Sequence, residues 1–305
     1  MEQIDKYIAY LSAIRRYSGL TCENYCRVLQ EYWDFLPEGE ELMTVSSVRN
    51  YEVWLLDTCK KSARTVNQHL SVLSGFASYL MRQGVLQSNP VRLVTRPKQE
   101  KRLPEFFREE SMEAYFREHS GTVEYGNPDA ALKYMIVSIL YNTGIRRAEL
   151  CTLNRSDLDL SRKVLHVRGK GDKMREIPLT SSFCNEISLY LHRVDSLKVC
   201  ADGLESPLLM TPAGGRLYPV FVDRTVKSEL GAVEGVSGRK SPHVLRHTLA
   251  TELLDSGTDI NSIKELLGHA SLAATQVYTH NSIERLQKVY NNAHPRAKNG
   301  GKNGD

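Results

Sequence analysis

Nowhere in the chain do about 18 apolar residues run together, so no transmembrane helix is encoded. The opening stretch, MEQIDKYIAYLSAIRRYSG, carries acidic residues early and lacks a basic segment followed by an apolar block. It does not read as a secretory signal peptide. The six cysteines include no C-x-x-C pair and are too sparse for a disulfide scaffold. Reduced thiols in a cytoplasmic protein are expected. GKGDK lacks the G-x-x-x-x-G-K-[ST] spacing of a phosphate-binding P-loop, and no internal repeat or heptad run occurs. The excess of one charge sign over the other is also small. A net +4 over 305 residues is compatible with nucleic-acid binding but does not argue for it.

What is present is ordinary globular composition, 41% hydrophobic and 25% charged, with length enough for two cores. Residues 3 to about 94 read as helical. Ile4, Ile8, Leu11 and Ile14 recur at helical spacing, and Thr21 is expected to cap a second helix through Tyr25, Leu29, Tyr32 and Trp33. Val66, Leu70, Leu73, Ala77 and Leu80 form one stripe, with Gly84 as a C-terminal stop. SNPVRLVTRPKQEKRLPEFF follows, rich in proline and charge, and reads as an extended interdomain linker. Within it, Arg96 to Arg102 holds four cations against one acid.

The second unit contains a buried-looking segment, ALKYMIVSILYNTG, then KVLHVRGKGDKMREIPL. The alternation on both sides of Gly169-Lys170-Gly171-Asp172 predicts a β-hairpin with Lys170 at its turn. From Ser241 the chain is helical again. Ser241-Pro242 predicts a helix start, Gly257 its end, and a second helix runs from about Asp259 to Leu267, closed by Gly268. A third is expected from Ser271 and a last from Ser282. The end, HPRAKNGGKNGD, is basic and Gly/Asn-rich, as disordered tails are.

Five features of this unit carry chemistry. Arg146 follows a glycine turn in NTGIRRAEL. Lys170 sits in the hairpin. His243 and Arg246, three apart in SPHVLRH, share one helix face. His269 follows Gly268 directly. Tyr278 lies in QVYTH. Singly, each has an ordinary explanation. Arg146 has Glu149 one turn away as an ion-pair partner, a hairpin lysine solubilises, and His243 and Tyr278 pack.

Together they match one reaction. Attack of a tyrosine on a DNA phosphodiester builds negative charge on the non-bridging oxygens, which two forked guanidinium groups stabilise better than ammonium does. A phenol, with a pKa of about 10, is ionised to about a thousandth at neutral pH and needs a base or a cationic setting. The leaving 5′-oxygen needs a proton, which a lysine supplies, and histidines accept protons or donate to phosphate. No metal or other cofactor enters.

The chain resembles the tyrosine site-specific recombinases of the phage integrase family, most closely the Xer-type chromosome-dimer resolvases. TGIRRAEL, GKGDK, HVLRHTLATELL and LGHASLAATQVYTH are similar to that family's catalytic boxes, in its order. SARTVNQHLSVLSGFASYLMRQGVLQSNPV and PKQEKRLPEFF resemble its core-binding domain and linker. The resemblance covers residues 3 to 290. It implies Tyr278 as the nucleophile, leaving a 3′-phosphotyrosyl bond; Arg146 and Arg246 on the scissile phosphate; Lys170 as general acid; His243 as base; and His269 as a phosphate hydrogen-bond donor. Glu149 would support this cationic site. Arg147 departs from the family pattern, which has an uncharged residue there, and the tail beyond Arg296 has no family counterpart.

The implied fold is mainly α, a two-domain DNA clamp. Residues 1–94 would be a SAM-like helical core-binding bundle, 95–105 a basic linker, and 106–290 an α+β catalytic domain with a small antiparallel sheet, followed by a basic tail, 291–305. The implied partner is double-stranded DNA bearing a specific site, bound by a homo- or hetero-tetramer on two sites. A paralogous recombinase and a DNA translocase activator would complete the system, nucleoid-associated in the cytoplasm. SIERLQKVY resembles the family's final helix, which docks on a neighbouring subunit.

Alternatives within the class are a mobile-element integrase and a DNA invertase. The first unit begins without the extra arm-binding segment of many phage-type integrases, which favours a simple recombinase. Outside the class stands a non-catalytic helix-turn-helix regulator, since LATELLDSGTDINSIKELLGHASLAATQVY has that pattern. It leaves Arg146, Lys170 and the His243/Arg246 pair without a role. A zinc hydrolase using His243 and His247 lacks the glutamate such sites carry, Val244 standing there, and Arg246 would repel the cation.

Overall fold

In the computed structural model, residues 2–39, 43–99, 106–169, 172–196, 205–231, 233, 240–268 and 290 are described. The chain divides into two compact units, Met1–Arg102 and Leu103–Asp305.

The regular elements of the first unit's described residues are all helices. Helix α1 (Glu2–Ala13) buries Ile4, Tyr7 and Leu11 on one face. It stops before Ile14, which is 69% exposed and so outside the expected stripe. Helix α2 (Gly19–Phe35) is capped by Ser18, whose hydroxyl accepts from the Thr21 amide, and not by Thr21 as the sequence suggested. Both residue types can cap, but only the residue with extended backbone one position ahead of the first turn can reach the free amides. Helix α3 (Val45–Val53) opens with a Thr44/Ser47 capping box and continues as a π-turn, Trp54–Thr58. Helix α4 (Ala63–Arg82) buries Val66, Leu70, Leu73, Ala77 and Leu80 against the other helices. Each fully buried leucine there contributes about 1.5–3 kcal/mol relative to exposure. Gly84 follows with φ +73°.

The second unit starts with α5 (Glu109–Glu118), a short α6 (Thr122–Tyr125) and the central α7 (Pro128–Thr143). From Tyr134 to Thr143 every residue of α7 is buried, so its apolar residues show little one-sidedness. Helices α9 (Ser181–Ser196), α10 (Pro219–Glu229) and α11 (Pro242–Asp255) pack around it. Between come α8 (Arg147–Thr152) and a three-stranded antiparallel sheet, β1 (Leu158–Asp159), β2 (Val164–Arg168) and β3 (Met174–Pro178), in the order β1-β2-β3. In the expected hairpin Val167 faces Arg175 and Arg168 faces Met174. Helix α12 (Ile260–Leu267) is capped by Asp259, whose carboxylate accepts from the amides of Asn261 and Ser262, and ends at Gly268 with φ +65°.

No helix among the described residues is long and apolar enough to cross a membrane.

Candidate active site

The site is assembled by two glycine turns. Gly144 ends α7 with φ +60°, and a Cβ there would lie 2.7 Å from Leu267 Cδ2 and 2.9 Å from Leu249 Cδ2. Only glycine gives the left-handed turn and lets α11 and α12 approach this closely. The turn delivers Arg146 to the start of α8. There its amide donates to Glu149 Oε2 at 2.8 Å and its Nη1 to Glu149 Oε1 at 2.7 Å. Its Nη2 donates to the carbonyl of Gly268, 2.8 Å away.

Arg246 comes from α11. It is buried, donating from Nη1 to the Gly144 carbonyl at 2.7 Å and from Nη2 to the Leu267 carbonyl at 2.5 Å. Arg175, reached along β3, donates from Nε to the Leu266 carbonyl at 3.1 Å. Its two terminal nitrogens fork onto Glu149, at 3.0 Å to Oε1 and 2.8 Å to Oε2.

Three consecutive carbonyls at the C-terminal end of α12 thus accept from three different arginines. A helix end leaves its last carbonyls without intrahelical donors and carries partial negative charge. That end is the natural collecting point for guanidinium groups brought from α7–α8, β3 and α11. Arg146 and Arg246 use only some of their five N–H groups in this way, and the others have no partner among the described residues.

Packing cations together has electrostatic consequences. Burial, then the charges of Arg146 and Arg175, lowers the Arg246 pKa to about 10, which still leaves it cationic at neutral pH. Burial alone would raise the Glu149 carboxyl, but its bonds to Arg175 and Arg146 outweigh this and hold it below its ordinary value. His243 lies on the exposed side of the first turn of α11. Desolvation by its surroundings, then the charges of His247, Arg246, Arg147 and Arg146, depresses its pKa. A neutral imidazole that can accept a proton results. Ser241 precedes α11 as expected, although its hydroxyl makes no capping bond.

Of the six residues singled out in the sequence, Arg146, His243 and Arg246 fall among the described residues. Lys170, His269 and Tyr278 lie outside them, as do the expected third helix and most of the last. The hairpin that carries Lys170 is placed up to its neck: the Gly169 amide donates to the Lys173 carbonyl at 2.8 Å, and a Cβ on Gly169 would lie 3.6 Å from Glu149 Oε1. Tyr290, from the expected final helix, is buried in the core of its own chain and donates to the Asn142 carbonyl. Arg147 pairs with Asp223 on α10, which accounts for a charge at that position. Arg175 was missed by sequence reasoning. The available signal was its register: on β3 it shares the inward face with Ile177, where an arginine requires a buried acidic partner.

Residues 105–285 match the model of the phage integrase family, and residues 4–84 that of the phage integrase N-terminal SAM-like domain. The chain belongs to the phage integrase family, as a tyrosine-type site-specific DNA recombinase with an N-terminal SAM-like domain and a catalytic domain containing a small antiparallel sheet. It is related to the XerC recombinases. It is 36% identical to the tyrosine recombinase XerC of Bacillus pumilus over 297 residues, covering 95% of each chain. With that of Bacillus licheniformis it shares 37% identity over 303 residues, 96% of each. Its fold is also that of the Tn1549 transposon integrase solved in complex with transposon right end DNA, with a TM-score of 0.68 and 19% identity, covering 94% of this chain and 98% of the other.

Proposed function

We propose that this recombinase cuts and rejoins duplex DNA at a specific site in Xer-type chromosome-dimer resolution, with Tyr278 as nucleophile. The phenolic oxygen gives its proton to His243 and attacks phosphorus. The bond to the 5′-oxygen breaks, that oxygen takes a proton from Lys170, and a 3′-phosphotyrosyl linkage remains. Arg146 and Arg246 hold the non-bridging oxygens, with His269 as a further donor. The linkage conserves the phosphodiester bond energy, so rejoining needs no nucleotide. We assign residues 1–94 to core binding, 95–105 to a basic linker, 106–290 to catalysis and 291–305 to a basic tail. A homo- or hetero-tetramer on two sites, with a paralogous recombinase and a translocase activator, would complete a nucleoid-associated cytoplasmic system.

One observation carries the phosphate-clamp assignment. Arg146 and Arg246, far apart in sequence, bond to the neighbouring carbonyls of Gly268 and Leu267. Two guanidinium groups held side by side by fixed acceptors suit the charge of a pentacoordinate phosphate. A helix-turn-helix regulator would have no use for them. The test is a nicked suicide duplex bearing the site, on which an SDS-resistant adduct is expected with the wild-type chain and none with Tyr278→Phe. Bound DNA without an adduct from the wild type would favour the regulator. Genomic binding sites at a replication terminus, rather than flanking an invertible or mobile segment, would separate the resolvase from an invertase or integrase.

A further inference from the structure

We propose that Arg175 is a positioning residue for the phosphate clamp, setting both the charge and the geometry of Arg146 without touching DNA. This rests on the reading of Arg146 and Arg246 as that clamp. Arg175 is buried, and all three of its guanidinium nitrogens are engaged within the protein, Nε on the Leu266 carbonyl and the two terminal nitrogens on Glu149, so its fork faces the carboxylate and not a phosphate.

Its role follows from what Glu149 would do without it. Glu149 is buried and takes three donors from Arg146 and Arg175 on its side-chain oxygens besides the Arg146 amide. With Arg175 present, one carboxylate is shared between two cations, and Arg146 keeps net positive charge for the phosphate. With Arg175 removed, Arg146 becomes the sole cation on a buried carboxylate, and the pair is close to neutral. The clamp would lose about one unit of charge where the transition state gains one.

The second arm acts through geometry. Nε of Arg175 fixes the Leu266 carbonyl, and the next two carbonyls orient Arg246 and Arg146. A Cβ on Gly268 would lie 3.1 Å from Arg175 Cδ and 3.2 Å from its Nε, so the turn lies directly against this side chain. Arg175 also stands on the same hairpin as Lys170, opposite Val167. It therefore ties the lysine-bearing hairpin to the helix end that holds both arginines.

The test uses the full-length chain, a duplex selected from random sequence by the wild type, and a nicked version of that duplex. Thermal midpoint, equilibrium Kd and single-turnover adduct rate at saturating protein are measured for wild type, Arg175→Met and Arg175→Lys. The Met variant should lose at least about 10-fold in rate, with Kd within about 3-fold of wild type, because misplacing a clamp affects the transition state more than binding. The Lys variant, which returns the charge but not the fork, should recover part of that loss at unchanged Kd. A Met variant at full rate, a rate loss matched by equal losses of Kd and thermal midpoint, or a Lys variant no faster than Met would overturn the inference. If the Met variant does not fold, the Lys variant decides: slower than wild type at unchanged Kd supports the role, full rate refutes it. Failure of the wild type to form any adduct would instead refute the clamp reading beneath it.

Discussion

A buried arginine is costly to desolvate, and Arg246 meets that cost with the Gly144 and Leu267 carbonyls and with the negative end of α12. Lysine at this position would reach one carbonyl at a time. Arg246→Ala should therefore lose cleavage by about 10² or more, measured as adduct formation at saturating protein. Glu252 behaves differently. Burial, reinforced by Glu109, Glu113 and Asp255, raises its pKa to about 8 from 4.5, although a hydrogen bond from Tyr141 pulls the other way. Its Oε2 has no partner among the described residues, as suits a protonated acid. The folded chain thus holds a proton that the unfolded chain releases, so this group's contribution to stability falls as pH rises from 4.5 towards about 8. Glu252→Gln should flatten the decline in thermal midpoint across that window and be at least as stable as wild type at its upper end. A variant that declined in parallel with wild type would show the carboxyl to be uninvolved.

Between elements, the decisive contacts are glycine turns meeting helix ends. A side chain at 144 must adopt φ +60° and push into Leu249 and Leu267 at once, so Gly144→Ala should destabilise by more than the about 1–2 kcal/mol of the left-handed conformation alone. Urea unfolding measures this, and a cost under about 1 kcal/mol would mean that α11 and α12 yield easily. The helix ends marked by Gly84, Gly257 and Gly268, the α4 stripe and the hairpin flanking Lys170 were all legible in the sequence, because each rests on local periodicity or on a turn that only glycine makes easily. Other features were not. Ser18 and Thr21 are equally good caps on paper, and only the backbone path chooses between them. Strand β1 is two residues long, too short for alternation to register. Arg175 was passed over because its acidic partner, Glu149, lies on another element. At the candidate site, Arg146 and Arg246 could be singled out from their motifs, whereas the gathering of three arginines on one helix end is a tertiary fact.

For the molecule as a whole, the small net charge conceals an uneven distribution, with cations concentrated between Arg96 and Arg102 and in the buried cluster around α12. Phosphate contacts made by such groups release counterions, and they fix register more than sequence. DNA affinity should fall steeply with ionic strength, by about 10³-fold or more between about 50 and about 200 mM salt, in a filter-binding or anisotropy titration. A flat salt response would contradict a backbone-tracking mode. The most direct test of the account is to trap the covalent adduct on nicked duplex, digest it, and map the attached nucleotide by mass spectrometry among the chain's 15 tyrosines. A single modified peptide at Tyr278, absent from Tyr278→Phe, is the expected result; modification of another tyrosine, or strand exchange by the Phe variant, would contradict it.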